Sequence, residues 1–151
     1  MLDDLDKSIL SHLQKDSKIT IKELSVHLSL SGTAIYERIR KMERKGIIES
    51  YSVRINKNLV DLGFVVFCQI KLKEHKHEYL VKFEREVIRF SEVLECYNVS
   101  GDYDYLLKVL VKDMEAFREF MVKKLTRIDH IGSTHSMFMI NEVKHTTRIT
   151  L

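Results

Sequence analysis

The sequence lacks the long apolar runs that cross membranes: no stretch approaches about 18 consecutive apolar residues, so we expect no membrane span. A secretory signal is missing too, because the start MLDDLDKS is acidic and polar where a signal peptide needs a basic start and an apolar core. We therefore expect a cytoplasmic protein. Cysteine is scarce: Cys68 and Cys96 fall in strand-like runs without metal-ligand spacing, which predicts buried thiols.

Recognisable catalytic signatures are also missing. The chain contains no Gly-rich phosphate loop, no nucleophile elbow and no evident acid/base or nucleophile pair. Its seven histidines are scattered, and His75 and His77 lie in the polar stretch EHKHE, which we interpret as a solvated linker. These absences predict a protein that is not an enzyme, with no catalytic residues, no cofactor and no metal site.

What is present is an ordinary soluble composition with a local concentration of positive charge. The chain is 44% hydrophobic and 31% charged, which suits one domain or two small ones. Residues 36–57 contain seven basic and three acidic residues, a net charge of +4. Residues 1–35 have a net charge of −1, and residues 58–151 have a net charge of zero. A local basic patch is typical of a polyanion site, although a solvated helix face has the same composition.

From residue 2 to residue 48 the apolar spacing is helical and predicts a three-helix unit. The first helix follows from apolar residues three and four apart between Leu2 and Leu13. A capping box of Thr20 and Glu23 begins the second helix, and Ser31 caps a third that ends at Gly46. Short helices joined by a turn of about four residues predict a helix-turn-helix, followed by a strand in IIESYSVRIN.

The third predicted helix carries side chains suited to DNA. In a helix-turn-helix this helix lies in the major groove with its N-terminal side chains toward the bases. With Ile35, Ile39 and Met42 facing the core, the side chains placed toward bases or phosphates are Ser31, Thr33, Tyr36, Glu37, Arg38, Arg40, Lys41, Arg44 and Lys45. Thr33, Tyr36 and Arg40 are the candidates for base edges. The phosphate candidates are cationic: Arg38, Lys41, Arg44 and Lys45.

The second half of the chain predicts a different architecture. Strand-like alternation in LGFVVFCQIKL precedes a helix bearing Leu80, Phe83, Val87 and Phe90; two strands, a helix capped by Asp113 and two further strands follow. The order β-α-β-β-α-β plus a terminal strand is ferredoxin-like, so the fold class is α+β. One face of such a sheet stays uncovered, which predicts self-association.

These elements together resemble the Lrp/AsnC, or feast/famine, family of transcription regulators over essentially the whole chain. The matching segments are LDDLDKSILSHLQKDSKIT, ELSVHLSLSGTAIYERIRKMERKGII, YSVRIN, ECYNVSGDYDYLLKV and NEVKHTT. The resemblance implies a winged helix-turn-helix domain at residues 1–50, a strand and hinge at 51–61, and an effector-binding and oligomerisation domain at 62–151. It also implies dimers, often octamers, and binding of a free amino acid or related metabolite.

The resemblance further implies where the effector binds. In the family, the turn between the second and third strands lines a pocket near an interface between dimers; here it is Ser100, Gly101, Asp102, Tyr103, Asp104 and Tyr105. Thr134, Ser136 and Phe138 would come from a neighbouring subunit. A carboxylate suits the ammonium of an amino acid, and backbone N–H groups of a glycine turn suit its carboxylate. The alternative is that Gly101 and Asp102 only form a hairpin turn and the tyrosines only pack.

The chain departs from the family pattern mainly by lacking proline. Gly32 and Lys112 occupy positions where the family usually has proline, and IDHIG replaces its LPGV. The overall prediction is a cytoplasmic regulator that binds a pseudo-palindromic site on double-stranded DNA and responds to an amino acid. The alternatives are a ligand-independent architectural DNA-binding protein and a small-metabolite enzyme or carrier, because a ferredoxin-like fold hosts many functions.

Overall fold

Three helices in the first part of the chain begin at side chains that cap them. In the computed structural model, which describes residues 2–151, they are α1 (Asp4–Lys15), α2 (Ile21–Leu28) and α3 (Gly32–Arg44). The predicted capping box at α2 is confirmed by the Glu23 amide, which donates to the Thr20 hydroxyl at 3.1 Å.

The remaining ends of these helices follow the same chemistry. Ser31 accepts a hydrogen bond from the Ala34 amide and caps α3, as predicted. Beyond α3, Gly46 has a φ of 67° and its amide donates to the Glu43 carbonyl, so glycine ends the helix in the left-handed conformation that it tolerates best. A capping box of Asp3 and Asp6 at α1 has no counterpart in the prediction.

The three helices enclose a small apolar core. Its buried members come from all three helices: Ile9, Leu10, Leu24, Ile35 and Met42. Ile39 and Leu28, predicted to face inward, are partly buried against this cluster. These helices form one compact unit with the rest of the chain up to Arg54 and with the segment Lys144–Leu151.

The second compact unit, Ile55–Val143, contains a four-stranded antiparallel sheet and two helices. Its elements are β1 (Phe64–Leu72), α4 (His77–Val87), β2 (Val93–Asn98), β3 (Tyr105–Val111), α5 (Met114–Lys123) and β4 (Ile131–Phe138), with short 3₁₀ turns at Lys57–Val60 and Leu125–Arg127. The strand order is β2-β3-β1-β4, which confirms the predicted ferredoxin-like fold.

The core of the second unit lies between one face of the sheet and the two helices. Even-numbered residues of β1 and odd-numbered residues of β3 point into it, among them Cys68, Ile70 and Leu107, together with Phe83 of α4 and Phe120 of α5. As predicted, Asp113 caps α5 by accepting from the Ala116 amide at 2.9 Å. The helix predicted through Phe90 ends earlier, at Val87, and Phe90 packs beyond the helix end.

Two predicted strands are absent from the described residues. Residues 49–56 and 139–151 form neither helix nor strand, so the strand predicted in IIESYSVRIN and the terminal strand in EVKHTTRITL are wrong for this structure. Alternating apolar side chains predict an extended chain, but a strand also requires a partner whose backbone completes the ladder.

Candidate functional site

Helix α3 presents an exposed row of side chains on the face opposite its buried residues. Ile35 and Met42 are almost fully buried, whereas Thr33, Tyr36 and Glu37 are exposed. The side chain of Arg40 is 54% exposed. The prediction of an outward face on this helix is therefore supported residue by residue, and aromatic, hydroxyl and guanidinium groups share it.

Three cations near the end of α3 have no acidic partner among the residues that the structure describes. Lys41, Arg44 and Lys45 are exposed, and none of them forms an ion pair or a side-chain hydrogen bond within the described chain. Cations that are not neutralised by the protein itself are available to anionic oxygens. This group is the part of the local positive charge most open to a polyanion.

Arg40 is held differently from these three cations. Its Nη1 donates to Glu43 Oε2 at 2.9 Å, and Tyr51 donates its hydroxyl to the other carboxylate oxygen, Oε1, at 3.0 Å. The Glu43 hydrogen bond raises the pKa of Arg40, so the guanidinium stays charged. Glu43, which no sequence motif singles out, restricts the directions in which Arg40 reaches out from the helix.

Arg38 was predicted to contact phosphate, and the structure turns it toward α1 instead. Its Nη1 lies 2.6 Å from Asp3 Oδ2 and 2.7 Å from Asp6 Oδ1. Asp6 is buried, and these hydrogen bonds raise the pKa of Arg38. Because a buried carboxylate must be paired, Arg38 belongs to the packing of α3 on α1 rather than to the exposed cations.

The start of α3 is tightly packed. The hydroxyl of Ser31 caps the helix by accepting from the Ala34 amide, and this hydrogen bond fixes the position of its side chain. A Cβ added at Gly32 would lie 3.3 Å from Cγ2 of Ile21, so the small residue at this position allows α2 and α3 to approach closely.

The loop between β2 and β3 is a hairpin closed at Val99 and Asp104. The Val99 amide donates to the Asp104 carbonyl at 2.9 Å, so Ser100 through Tyr103 form the tip. Gly101 has a φ of 123°, a conformation that side-chain-bearing residues rarely adopt. Asp102 is exposed and forms no hydrogen bond or ion pair with any described residue. The turn role of Gly101 is thus supported, while the Asp102 carboxylate stays available.

Asp104 uses its carboxylate within the chain. Oδ2 accepts a hydrogen bond from the Leu72 amide at 2.7 Å, and Oδ1 lies 2.7 Å from His75 Nε2, with the Asp104 side chain 14% exposed. His75, predicted to be only solvated, therefore has a partner although it is largely exposed. Asp104 ties the end of β1 to the hairpin and has little capacity left for an effector.

The two tyrosines of the motif occupy different environments. Tyr105 is 1% exposed, and its hydroxyl donates to Glu84 Oε1 at 2.8 Å, while burial raises its pKa. It is a core residue, so the prediction that it contacts the effector is not supported. Tyr103 is partly exposed, and its ring centroid lies 6.3 Å from that of His135 on β4.

The predicted effector residues on β4 face the helices of their own chain. Ser136 Oγ lies 3.8 Å from Cys68 Sγ, and Phe138 makes an edge contact with Phe117 of α5, with ring centroids 5.6 Å apart. Thr134 lies on the same face of β4 as Ser136 and Phe138. In the sheet, β1 lies between β4 and the β2–β3 hairpin. The neighbour of Tyr103 is instead His135, which the sequence does not single out because alternation alone does not tell which face of β4 the helices cover.

Two further properties concern the described part of the chain. No group of three or more His, Cys, Asp or Glu side chains there is arranged to hold a metal ion. Nor does any of its helices combine the length and apolar character that crossing a membrane requires.

Comparison with protein families gives a match for each unit. Residues 2–49 match the winged helix-turn-helix DNA-binding family. Residues 65–149 match the Lrp/AsnC ligand binding domain. Together the two matched ranges span most of the chain, and they separate where the structure changes from helices to the sheet.

Individual relatives agree with these matches. The leucine-responsive regulatory protein of Escherichia coli K12 is 37% identical over 150 residues, which cover 99% of this chain and 92% of the relative. A crystal structure of a transcriptional regulator from Neisseria meningitidis in complex with L-Met superposes with a TM-score of 0.94 at 32% identity, covering 99% of this chain and 96% of that one. Escherichia coli AsnC gives a TM-score of 0.91 at 26% identity, covering 98% of each chain.

Proposed function

Because this chain belongs to the Lrp/AsnC family of DNA-binding transcription regulators, we propose that α3 enters the major groove and that Thr33, Tyr36 and Arg40 read base edges. Lys41, Arg44 and Lys45 contact phosphates. The observation that carries this assignment is the group of exposed cations without acidic partners beside an exposed reading face. Guanidinium groups donate to guanine in the groove, and ammonium groups pair with phosphate oxygens.

Replacing both Arg40 and Arg44 by alanine tests the DNA assignment. The double variant is expected to bind a duplex more weakly than the wild type and to lose part of its preference among sequences. Circular dichroism first shows that the helices remain folded. Unchanged DNA affinity in a folded double variant contradicts the assignment of α3 as the recognition helix.

Arg38 has a positioning role in this proposal. Its ion pairs with Asp3 and Asp6 hold α3 against the start of α1, so they set the orientation in which the reading face meets DNA. Ser31 acts through the helix cap and Glu37 flanks Arg40 on the exposed face. The direct contacts are thereby limited to side chains that point away from the core.

The second unit is the sensor, and a free amino acid is its proposed effector. The relative from Neisseria meningitidis that was crystallised with L-Met supports this class of ligand. Asp102 supplies the free carboxylate for the ammonium group, and the backbone N–H groups around Gly101 face the ligand's carboxylate. Asp104 positions the hairpin through Leu72 and His75 instead of binding the ligand.

A thermal-melt series with each of the twenty amino acids tests the sensor assignment. A ligand that binds only the folded protein at about 100 times its dissociation constant adds roughly 2.7 kcal/mol, which gives a clear rise in melting temperature. The rise should disappear in Asp102→Ala. No rise with any amino acid contradicts the proposed class of effector and favours a DNA-binding protein without a ligand.

Assembly is proposed to use the open face of the sheet. The side chains there alternate with the buried ones and include Phe67, Leu106 and Met137, next to the Lys108–Glu95 ion pair at 2.8 Å. A second copy packed on this face forms a two-fold dimer and places two α3 helices on a pseudo-palindromic site, with half-sites about 34 Å apart. Higher assembly, up to an octamer, would bring Thr134, Ser136 and Phe138 of one subunit toward the hairpin of a neighbour.

Sedimentation of Leu106→Asp tests the dimer face. The variant is expected to sediment as a smaller species than the wild type, because a buried charge without a partner opposes association. Val122→Asp is the matched control, since Val122 is an exposed apolar residue on α5. Equal sedimentation of Leu106→Asp and wild type contradicts the proposed interface.

A further inference from the structure

The segment Lys144–Leu151, here called the strap, is part of the DNA-binding unit although the whole sensor unit precedes it in the chain. It forms no regular element. It is nevertheless attached to α1 at a defined point, Gln14, in the last turn of that helix. The DNA-binding unit is thus built from two separate parts of the sequence.

Gln14 holds the strap through both ends of its amide. The Ile149 amide donates to Gln14 Oε1 at 2.6 Å, and Gln14 Nε2 donates to the Ile149 carbonyl at 3.0 Å. In addition, Arg148 Nε donates to the backbone carbonyl of Gln14 at 3.2 Å. A primary amide that satisfies the N–H and the C=O of one residue imitates a strand partner, so the contact selects one register of the strap.

The strap continues directly from the sensor. Before it, the Met139 amide donates to the Val65 carbonyl at 3.1 Å, which prolongs the edge of the sheet beyond β4. Glu142 then forms an ion pair with Lys57 at 2.8 Å. Seven peptide steps separate Glu142 from Ile149, and an extended chain of that length spans at most roughly 25 Å.

A second contact joins the hinge segment to the start of the strap. Arg54 Nη1 donates to the His145 carbonyl at 3.4 Å, a long hydrogen bond. Arg54 and His145 both belong to the first unit, whereas Lys57 and Glu142 both belong to the second. The chain passes between the two units twice, once in the hinge segment after Arg54 and once at the start of the strap.

From these contacts we propose that the strap is a coupling element: docked on Gln14, it transmits changes in β4 to α1 and so to the DNA-binding helices. The inference rests on the proposed function for the statement that β4 lies at the effector site, but the coupling itself does not require an effector. By reciprocity, if β4 influences DNA binding, DNA binding must influence β4 equally in free energy.

Hydrogen exchange with and without DNA tests the coupling in the full chain. The probe is a mixed-sequence duplex at low salt, where phosphate contacts dominate affinity. In the wild type we expect DNA to change exchange of the β4 amides, residues 131–138, by about fivefold or more, the lower end of coupling between sites. In Gln14→Ala this response should be lost, together with protection of the Ile149 amide. Lys15→Ala, on the adjacent exposed position of α1, should behave as the wild type.

A second variant guards against a trivial loss of structure. Gln14→Glu keeps an acceptor for the Ile149 amide but loses the donor to its carbonyl, so it should also lose the response of β4 while circular dichroism remains that of the wild type. The proposal is overturned if DNA changes exchange of the β4 amides in Gln14→Ala as much as in the wild type. It is also overturned if DNA leaves this exchange unchanged in the wild type. Calorimetry with L-methionine is done separately: its failure speaks against the effector, not against the strap.

Discussion

Arg38 of α3 and Asp6 of α1 form an ion pair at 2.7 Å in which the carboxylate side chain is 4% exposed. A surface arginine on a recognition helix is ordinarily assigned to phosphate. Here its partner is a buried acid on another helix, so Arg38 has a different task from the exposed Arg40, which lies two positions further along α3.

The first prediction separates these two tasks by removing the acid. If Arg38 bound phosphate, Asp6→Asn would remove one of its two ion pairs and strengthen DNA binding. Because Arg38 instead positions α3, Asp6→Asn should weaken DNA binding and destabilise the first unit. Arg38→Ala, which leaves the buried carboxylate of Asp6 unpaired, should cost about 1–3 kcal/mol in urea unfolding. Stronger DNA binding by Asp6→Asn would restore the phosphate assignment.

A second prediction concerns the salt dependence of DNA binding. Each phosphate contact contributes about −0.9 to the slope of log affinity against log salt concentration on duplex DNA. Lys45→Ala should therefore reduce the slope by about one contact and weaken binding to all sequences alike. Lys123→Ala on α5, whose ammonium is paired with Glu119, serves as the control and should leave the slope unchanged. Arg38→Ala should also leave it unchanged, in contrast to Lys45→Ala.

A third prediction distinguishes the two aspartates of the hairpin. Asp102→Asn should abolish binding of the amino acid in calorimetry and leave the melting temperature of the free protein unaltered, since Asp102 has no partner among the described residues. Asp104→Asn should lower that melting temperature, because Asp104 accepts from the Leu72 amide and pairs with His75. The reverse pattern would show that Asp104 is the ligand and Asp102 only a turn residue.

The fourth prediction is a loss of stability of the first unit in acid. Hydrogen bonds from Asp6 and Arg38 lower the pKa of Asp3, and hydrogen bonds from Thr20 lower the pKa of Glu23. A lowered folded-state pKa means stability that is present above the unfolded-state value, 3.8 for Asp3 and 4.5 for Glu23, and is lost as pH falls through the folded-state values. Thermal melts of Glu23→Gln should show a weaker dependence on pH below about 4.5 than the wild type.

Local chemistry explains what could be predicted from the sequence. Thr20, Ser31 and Asp113 cap helices through atoms only three residues away, so their roles depend on no distant part of the chain. The alternation in β1 and β3 predicts a sheet covered on one side, and the order of elements then leaves few topologies. Family resemblance supplied the functional class from motifs in the same segments.

Long-range pairing explains why other contacts could not be predicted from the sequence. The partners of Arg38 lie more than thirty positions away, at the acidic start of a helix where the sequence predicts ordinary surface residues. Asp104 contacts Leu72 and His75 only because the register of the sheet brings them together. Gln14 gives no signal at all, because a polar residue near the end of an amphipathic helix is typical of solvent exposure. Such contacts depend on packing that no local pattern encodes.

The attachment of the strap to Gln14 also sets an order of events during synthesis. A chain emerges from the ribosome N-terminus first, at about 5–20 residues per second, and its early domains commonly fold before later ones are made. Here α1, α2 and α3 emerge early, but residue 149 follows only after the entire sheet has been translated. The first unit, which binds DNA, is therefore completed only after the second unit has been synthesised. A nascent chain acquires its complete DNA-binding fold only together with its sensor unit.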